Sequence, residues 1–148
     1  MLINKAYKFR LYPSQSQKEL INKTFGCTRL VYNYYLDKKI KEYENNKHSL
    51  SCYDCIKDLR NLYLKYPFLK EIDSISLRCS LFNLDNAYQK FFKEKIGYPK
   101  FKSKFNKNSF RTNIITIEYK GRTYYNIKLD LVNKTITLPK LKNIKMKK

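Results

Sequence analysis

Glycine is scarce: only Gly26, Gly97 and Gly121 occur in 148 residues, and no two lie within six positions of one another. A Walker loop or a dinucleotide-binding GxGxxG cannot be written on such a chain. Histidine is scarcer still. His48 stands alone, in a stretch that reads as an exposed loop, so His-dependent triads and two-His metal sites lack their central group. The 12 acidic residues stand singly, mostly on segments that also carry Lys or Arg, where solvated-face and capping roles suffice. Two-metal nuclease chemistry needs several carboxylates converging on Mg²⁺, and no such cluster can be assembled from this spacing. Cys52-Tyr-Asp-Cys55 is the only CxxC, with Cys27 and Cys79 isolated. A structural zinc site commonly uses two such pairs, so the thiols read as small core residues. No uncharged run approaches the ~18 residues of a membrane span, and the N-terminus lacks the apolar stretch of a signal peptide. A cytoplasmic location is expected, which also argues against structural disulfides.

What the chain has instead is positive charge. Lys plus Arg number 32 against 12 Asp plus Glu, a formal net charge of +20, and 14 Tyr and 9 Phe are interleaved with them. Uncompensated charge on this scale is tolerated where a polyanion neutralises it, and the aromatic rings add stacking faces suited to RNA or single-stranded DNA. The surplus is uneven. Residues 1–85 carry 15 basic and 9 acidic residues, whereas residues 86–148 carry 17 and 3. The apolar pattern changes in the same region, from helical spacing to alternation beyond Gly97.

The segment Lys5 to Leu11 alternates and predicts a first strand with Lys8 and Arg10 on one face. Ser14 with Gln17 forms a capping-box pattern for a helix that breaks near Gly26. A second helix is predicted from about Thr28 to Asn46, with Val31, Tyr35, Leu36, Ile40 and Tyr43 inward. Ser51 with Asp54 opens a third, stopped by Pro67. Asp73 caps a fourth, with Ile75, Leu81, Phe82, Leu84, Tyr88 and Phe91 inward, ending at Gly97. A basic connector follows, and then strands near Asn113–Glu118, Tyr124–Leu131, Thr135–Leu138 and Lys142–Met146, with a hairpin turn at Val132-Asn133-Lys134-Thr135. The last strand pattern runs into the C-terminus, and an interrupted sheet is expected.

The stretch Lys5-Ala-Tyr-Lys-Phe-Arg-Leu-Tyr-Pro-Ser, continuing through Phe25-Gly-Cys-x-Arg-x-Val-Tyr-Asn-Tyr-Tyr-Leu36, resembles the start of TnpB, the OrfB-type protein of bacterial insertion sequences. Tyr66-Pro-x-Leu-Lys-Glu-x-Asp73, Leu84-Asp-x-Ala-Tyr-x-x-Phe-Phe92, Gly97-Tyr-Pro-Lys-Phe-Lys-Ser-Lys104, Ser109-Phe-Arg-Thr112 and Leu138-Pro-Lys-Leu141 continue the likeness in the family's order.

The resemblance implies an α+β fold: a helical recognition lobe at 13–96, its helix-turn-helix-labelled part at 14–46, inserted in an incomplete wedge-type β-barrel built from 1–12 and 97–148. Members of the family are RNA-guided DNA endonucleases, widely labelled transposases, whose corresponding parts hold guide RNA and read a short DNA motif. The family's RuvC-like domain opens on Gly-Ile-Asp-x-Gly, and a four-cysteine zinc ribbon follows. No Asp neighbours a Gly here. The chain is therefore expected to bind guide RNA and DNA without cutting, with neither the Mg nor the zinc site of the family nuclease and thus no cofactor. A separate C-terminal nuclease fragment is an implied partner, and a membrane is not. Carried over by position, DNA-motif contacts fall on Cys52, Tyr53, Ser74, Arg78, Arg111 and Thr112. Relatives often have an aromatic at the first of these positions and Gln at the fourth, so a different motif is expected to be read. The basic segments add Lys8, Arg10, Lys100, Lys102 and Lys104 as nucleic-acid contacts.

Two other classes are weighed. A stand-alone helix-turn-helix regulator would use 14–46, yet a recognition helix carries polar base-reading residues at its start, and Thr28 is followed by a Leu-, Val- and Tyr-rich run. A membrane-surface helix would carry few acidic residues, whereas Glu19, Asp37, Glu42, Glu44, Asp54 and Asp58 are interspersed through the helical region.

Overall fold

The structure, a computed structural model, describes residues 1–147. The elements in order are β1 (Arg10–Tyr12), α1 (Gln15–Asn46), α2 (Cys52–Lys65), a 3-10 turn (Pro67–Glu71), α3 (Ser74–Glu94), β2 (Thr116–Tyr119), β3 (Arg122–Tyr125), β4 (Lys128–Asp130), β5 (Thr135–Leu138) and β6 (Leu141–Lys147). The chain is α+β and divides into two compact units, one of residues 22–113 and one of residues 1–21 with 114–148.

In the helical unit the buried residues of α1 are Thr24, Cys27, Thr28, Val31, Tyr32, Tyr35 and Leu36. Steps of three and one repeat along this set, which is the stripe one face of a helix presents. It packs with Cys55, Leu59 and Leu62 of α2, with Leu77, Cys79, Leu81 and Leu84 of α3, and with Leu69 and Ile72 between them. Small polar residues permit close approach of α1 and α3: the Ser80 hydroxyl donates to the Thr28 carbonyl at 2.6 Å, and Thr28 Oγ1 to the Thr24 carbonyl at 2.9 Å. Beside this core, Tyr35 donates from its hydroxyl to Asp58 Oδ2 at 2.9 Å, and Lys38 Nζ reaches the same oxygen at 2.8 Å. Burial works to raise the Asp58 pKa, but the bonds from Lys38, Asn61 and Tyr35 and the Lys38 charge outweigh it and hold the carboxyl below its ordinary value.

Two helices meeting at Gly26 were expected here, and the structure has one, of 32 residues. Among the described residues there are therefore three α-helices in place of four. A glycine inside a helix costs only about 0.5–1 kcal/mol relative to Ala. The buried stripe running through Thr24, Cys27, Thr28 and Val31 outweighs that cost, because each member is well packed only if the helix continues. Nothing lies within 4 Å of a Cβ built on Gly26. Gly26→Ala is therefore expected to stabilise the protein by about 0.5–1 kcal/mol, raising its thermal midpoint by about 2–4 °C per kcal/mol. A drop in midpoint would mean that the helix is interrupted there. Two residues placed inward by the helical pattern are exposed, Tyr43 at 57% and Phe82 at 43%. Tyr43 lies beyond the end of the α1 stripe, and Phe82 follows Leu81 by one residue, so it points about 100° away from the buried face.

Local signals hold elsewhere. Ser51 and Asp54 make a reciprocal capping box at α2, and Asp73 caps α3 by accepting from the Ile75 and Ser76 amides. Tyr66, forced out of the helical region by Pro67, ends α2. The helix expected to end at Gly97 stops at Lys95, which takes the left-handed conformation with φ 52°.

In the β unit, a four-stranded antiparallel sheet runs β1-β6-β5-β4, and β2-β3 form a separate hairpin. Among the described residues neither sheet closes into a barrel. Ser14 N donates to Gln17 Oε1 at 2.8 Å and Gln17 N to Ser14 Oγ at 3.4 Å, so the capping box predicted before α1 is present. In β6, Leu141, Ile144 and Met146 are buried. The extra residue between the first two is absorbed by a register shift opposite Ile136–Leu138, where Asn143 has φ 49°. The β4–β5 turn falls over Leu131–Lys134, held by Asp130, whose carboxylate accepts from the Val132 and Asn133 amides. The predicted Tyr124–Leu131 strand is two strands, β3 and β4. The Lys5–Leu11 strand is reduced to Arg10–Tyr12, because β1 pairs Arg10 with Lys147 and β6 offers no partner to residues 5–9 among the described ones. With so few glycines, lysines take the left-handed turn positions: Lys120, Lys134 and Lys140.

Candidate nucleic-acid interface

The connector from Gly97 to Asn113 has no regular secondary structure, and Arg111 and Thr112 lie in it. One α1 side chain anchors it. Asn33 Oδ1 accepts from the Lys102 amide at 2.7 Å and its Nδ2 donates to the Lys102 carbonyl at 2.9 Å, so a side-chain amide pairs with the backbone much as a neighbouring strand would. The Lys102 ammonium lies 4.3 Å from the centroid of the Tyr32 ring, and desolvation there lowers its pKa. One turn before Asn33, Arg29 Nη1 donates to Asn108 Oδ1 at 3.4 Å, and the Phe25 and Phe110 rings meet edge to face at 5.6 Å.

These contacts leave a groove of about 280 Å³ between α1 and the connector, lined by Phe25, Thr28, Arg29, Lys102, Lys107 and residues 103, 106, 108 and 109. Lys100 and Lys104 are exposed on the same connector. Three cations converge on a groove whose other polar groups are amides and hydroxyls, and a phosphate oxygen would find donors only of those kinds there. Arg29, Asn33 and Lys107 were not singled out in the sequence. The available signal was the i, i+4 placement of Arg29 and Asn33 on a helix face bordering the aromatic stripe.

The start of α3 gathers a second group. Asp73, 9% exposed, accepts from Ser76 Oγ at 2.9 Å and from Thr112 Oγ1 as well as from the two capped amides. Ser74 and Arg78 are exposed one turn apart at the start of α3, and Arg111 is close enough to Cys79 to act on its thiol. Ser74, Arg78, Arg111 and Thr112 are thus brought together.

Cys52 and Tyr53 are not among them. They open α2, which runs antiparallel to α3. Tyr63, about 17 Å of helix rise further on, is the α2 residue that senses Arg78 and Asp73. Cys52, half-buried, and Tyr53, exposed, border instead a cleft near the end of α3. Lys8 and Arg10 belong to the β unit and are exposed, Lys8 ahead of β1 and Arg10 on it, 5.9 Å from the Tyr12 ring.

Burial raises the thiol pKa of Cys27, Cys79 and Cys55, the last to about 11. Among the described residues no three His, Cys, Asp or Glu side chains come together as a possible cation site, and no helix is long and apolar enough to cross a membrane.

The chain joins an α+β fold to a basic connector braced on its helical unit, and its relatives place it more narrowly. The helix-turn-helix domain family of OrfB, IS605 type, matches residues 1–48. A protein of Streptomyces pristinaespiralis named "Putative RNA-guided DNA endonuclease" is 31% identical over 69% of this chain and 26% of its own length. The Salmonella dublin virulence protein VsdF is 35% identical over 70% of this chain and 96% of its own length. The Escherichia coli K12 protein named "Putative RNA-guided DNA endonuclease InsQ" is 29% identical over 92% of this chain and 32% of its own length. The chain belongs to the TnpB/OrfB-type family. It spans about a quarter to a third of the relatives named as endonucleases. The region matched as a helix-turn-helix domain comprises β1 and the uninterrupted α1.

Proposed function

We propose that this chain is the nucleic-acid-binding N-terminal portion of a TnpB-like, transposon-encoded protein, holding guide RNA and target DNA without itself cutting. The observation that carries the reading is the basic connector fastened by Asn33 beside Arg29, which keeps Lys100, Lys102, Lys104 and Lys107 on one supported segment. In this reading the two sheets are the wedge part and the three helices the recognition lobe. Ser74, Arg78, Arg111 and Thr112 form one contact group with DNA, Cys52 and Tyr53 a second, and Lys8 and Arg10 add phosphate contacts.

The test is salt dependence. Each neutralised phosphate releases counterions, so about five contacts give a log-log slope of about −3 to −5 for structured RNA. A slope near zero would mean that the basic surplus is solvated surface. Guide-dependent cleavage with Mg²⁺ that is abolished by changing one of this chain's carboxylates would refute the non-cutting part.

The alternative, a stand-alone helix-turn-helix regulator, is disfavoured by α1. A recognition helix needs a turn before it and free base-reading residues at its start. Here no turn intervenes between Gln15 and Asn46, and Val31, Tyr32 and Tyr35 are 0–5% exposed. A chain ending at Gly97 should lose most nucleic-acid affinity under the first reading, and keep sequence-specific duplex binding under the second.

A further inference from the structure

A cleft of about 650 Å³ opens on the helical unit between the start of α2 and the end of α3, away from the basic groove. Its floor is a cluster of rings. Tyr88 and Phe92 stack at 6.2 Å with an interplanar angle of 23°, Tyr98 meets Tyr88 and Phe91 edge to face at 5.6 and 5.1 Å, and the Tyr88 and Tyr98 hydroxyls are 2.9 Å apart. Lys39 closes one end, its ammonium 5.0 Å from the Tyr88 ring and bonded to the Leu50 carbonyl. The lips are open aromatics: Tyr53 is 72% exposed, Phe92 69% and Tyr43 57%. Large rings left this exposed around one cavity forfeit burial worth roughly 1.5–3 kcal/mol for a Phe-sized side chain, and such a concentration marks an occupant.

Two features define that occupant. The cleft is apolar in its walls yet carries groups that read a polar edge, the half-buried Asp85 carboxylate and the Gln89 amide. Two cations attend it, Lys39 in its lining at one end and Lys47 at the margin, with Nζ 5.4 Å from the Tyr43 ring. A flat ring with a hydrogen-bonding edge and an anionic tether satisfies both. We infer that the cleft takes a single unstacked nucleobase of an RNA strand, stacked against Tyr53 and Phe92, with its amino edge toward Asp85 and its backbone phosphates toward Lys39 and Lys47. A duplex cannot offer this, because its bases are stacked and paired, so the cleft selects single strands, loops or bulges. The inference rests on the nucleic-acid-binding reading above and adds a base-contacting site to it. An apolar peptide would fill the same walls but gains nothing from the carboxylate within or the two cations.

The experiment uses the full chain and two probes at matched salt: a single-stranded oligoadenylate RNA carrying one 2-aminopurine, and a blunt RNA duplex. The unchanged protein is expected to bind both and to alter 2-aminopurine fluorescence in the single strand. Stacking is worth enough per base that the leucine variant Phe92→Leu should weaken single-strand binding about 10-fold, leaving duplex affinity within about twofold and the salt slope unchanged. The ring-preserving Phe92→Tyr should retain single-strand binding, which separates stacking from loss of fold. Equal single-strand affinity in the leucine variant, or an unchanged 2-aminopurine signal on binding of the unchanged protein, overturns the site while duplex binding still supports the wider reading. Binding to neither probe overturns both.

Discussion

Asp73→Ala is expected to destabilise the helical unit by about 2–4 kcal/mol. The carboxylate caps α3, which is typically worth about 1 kcal/mol. It also accepts from the Ser76 hydroxyl, and Ser76 is 1% exposed. Removing the acceptor leaves that hydroxyl buried without it, at about 1–3 kcal/mol. The bond from Thr112 is lost as well, which frees the connector where Arg111 stands. Asn at the same position keeps a capping oxygen, so Asp73→Asn should cost less than half as much. Urea unfolding followed by helical circular dichroism reads the difference. Equal losses for Ala and Asn would show that the carboxylate's neighbours are satisfied in some other way. If Arg111 contacts a phosphate, Asp73→Ala should also weaken RNA binding in conditions where the protein remains folded.

Replacing Lys100, Lys102 and Lys104 together by Ala is expected to flatten the salt dependence of RNA binding by about 2–3 in log-log slope, since each lost phosphate contact removes about 0.7–0.9. The fold should survive, because the connector is anchored through the Lys102 backbone and not through its side chain. Asn33→Ala makes the complementary test. It preserves every charge but removes both anchoring bonds, so affinity should fall while the loss in slope stays below that of the triple variant. Titrations of the three proteins on one structured RNA at four or more salt concentrations give both quantities. An unchanged slope in the triple variant would move the phosphate contacts off the connector.

Several features of this protein were determined by sequence alone. The Ser14–Gln17, Ser51–Asp54 and Asp73 caps were readable because each is a contract between residues two or three apart, and the Pro67 stop acts on its immediate neighbour. The hairpin before Thr135 and the excess of positive charge beyond residue 85 are local or additive in the same sense. What needed the tertiary structure was decided at a distance. A mid-helix glycine reads as a break until the stripe on both of its sides is seen to be buried against α2 and α3. Lys5 to Phe9 alternate like a strand, but a strand exists only where a partner supplies hydrogen bonds, and β6 pairs with residues 10–12. The candidate contacts were divided by the antiparallel course of α2 and α3, which carries Cys52 and Tyr53 to one end of the pair and Ser74 and Arg78 to the other. Arg29, Asn33 and Lys107 entered the interface only because the chain folds the connector back onto α1, joining residues 69 positions apart through one amide side chain.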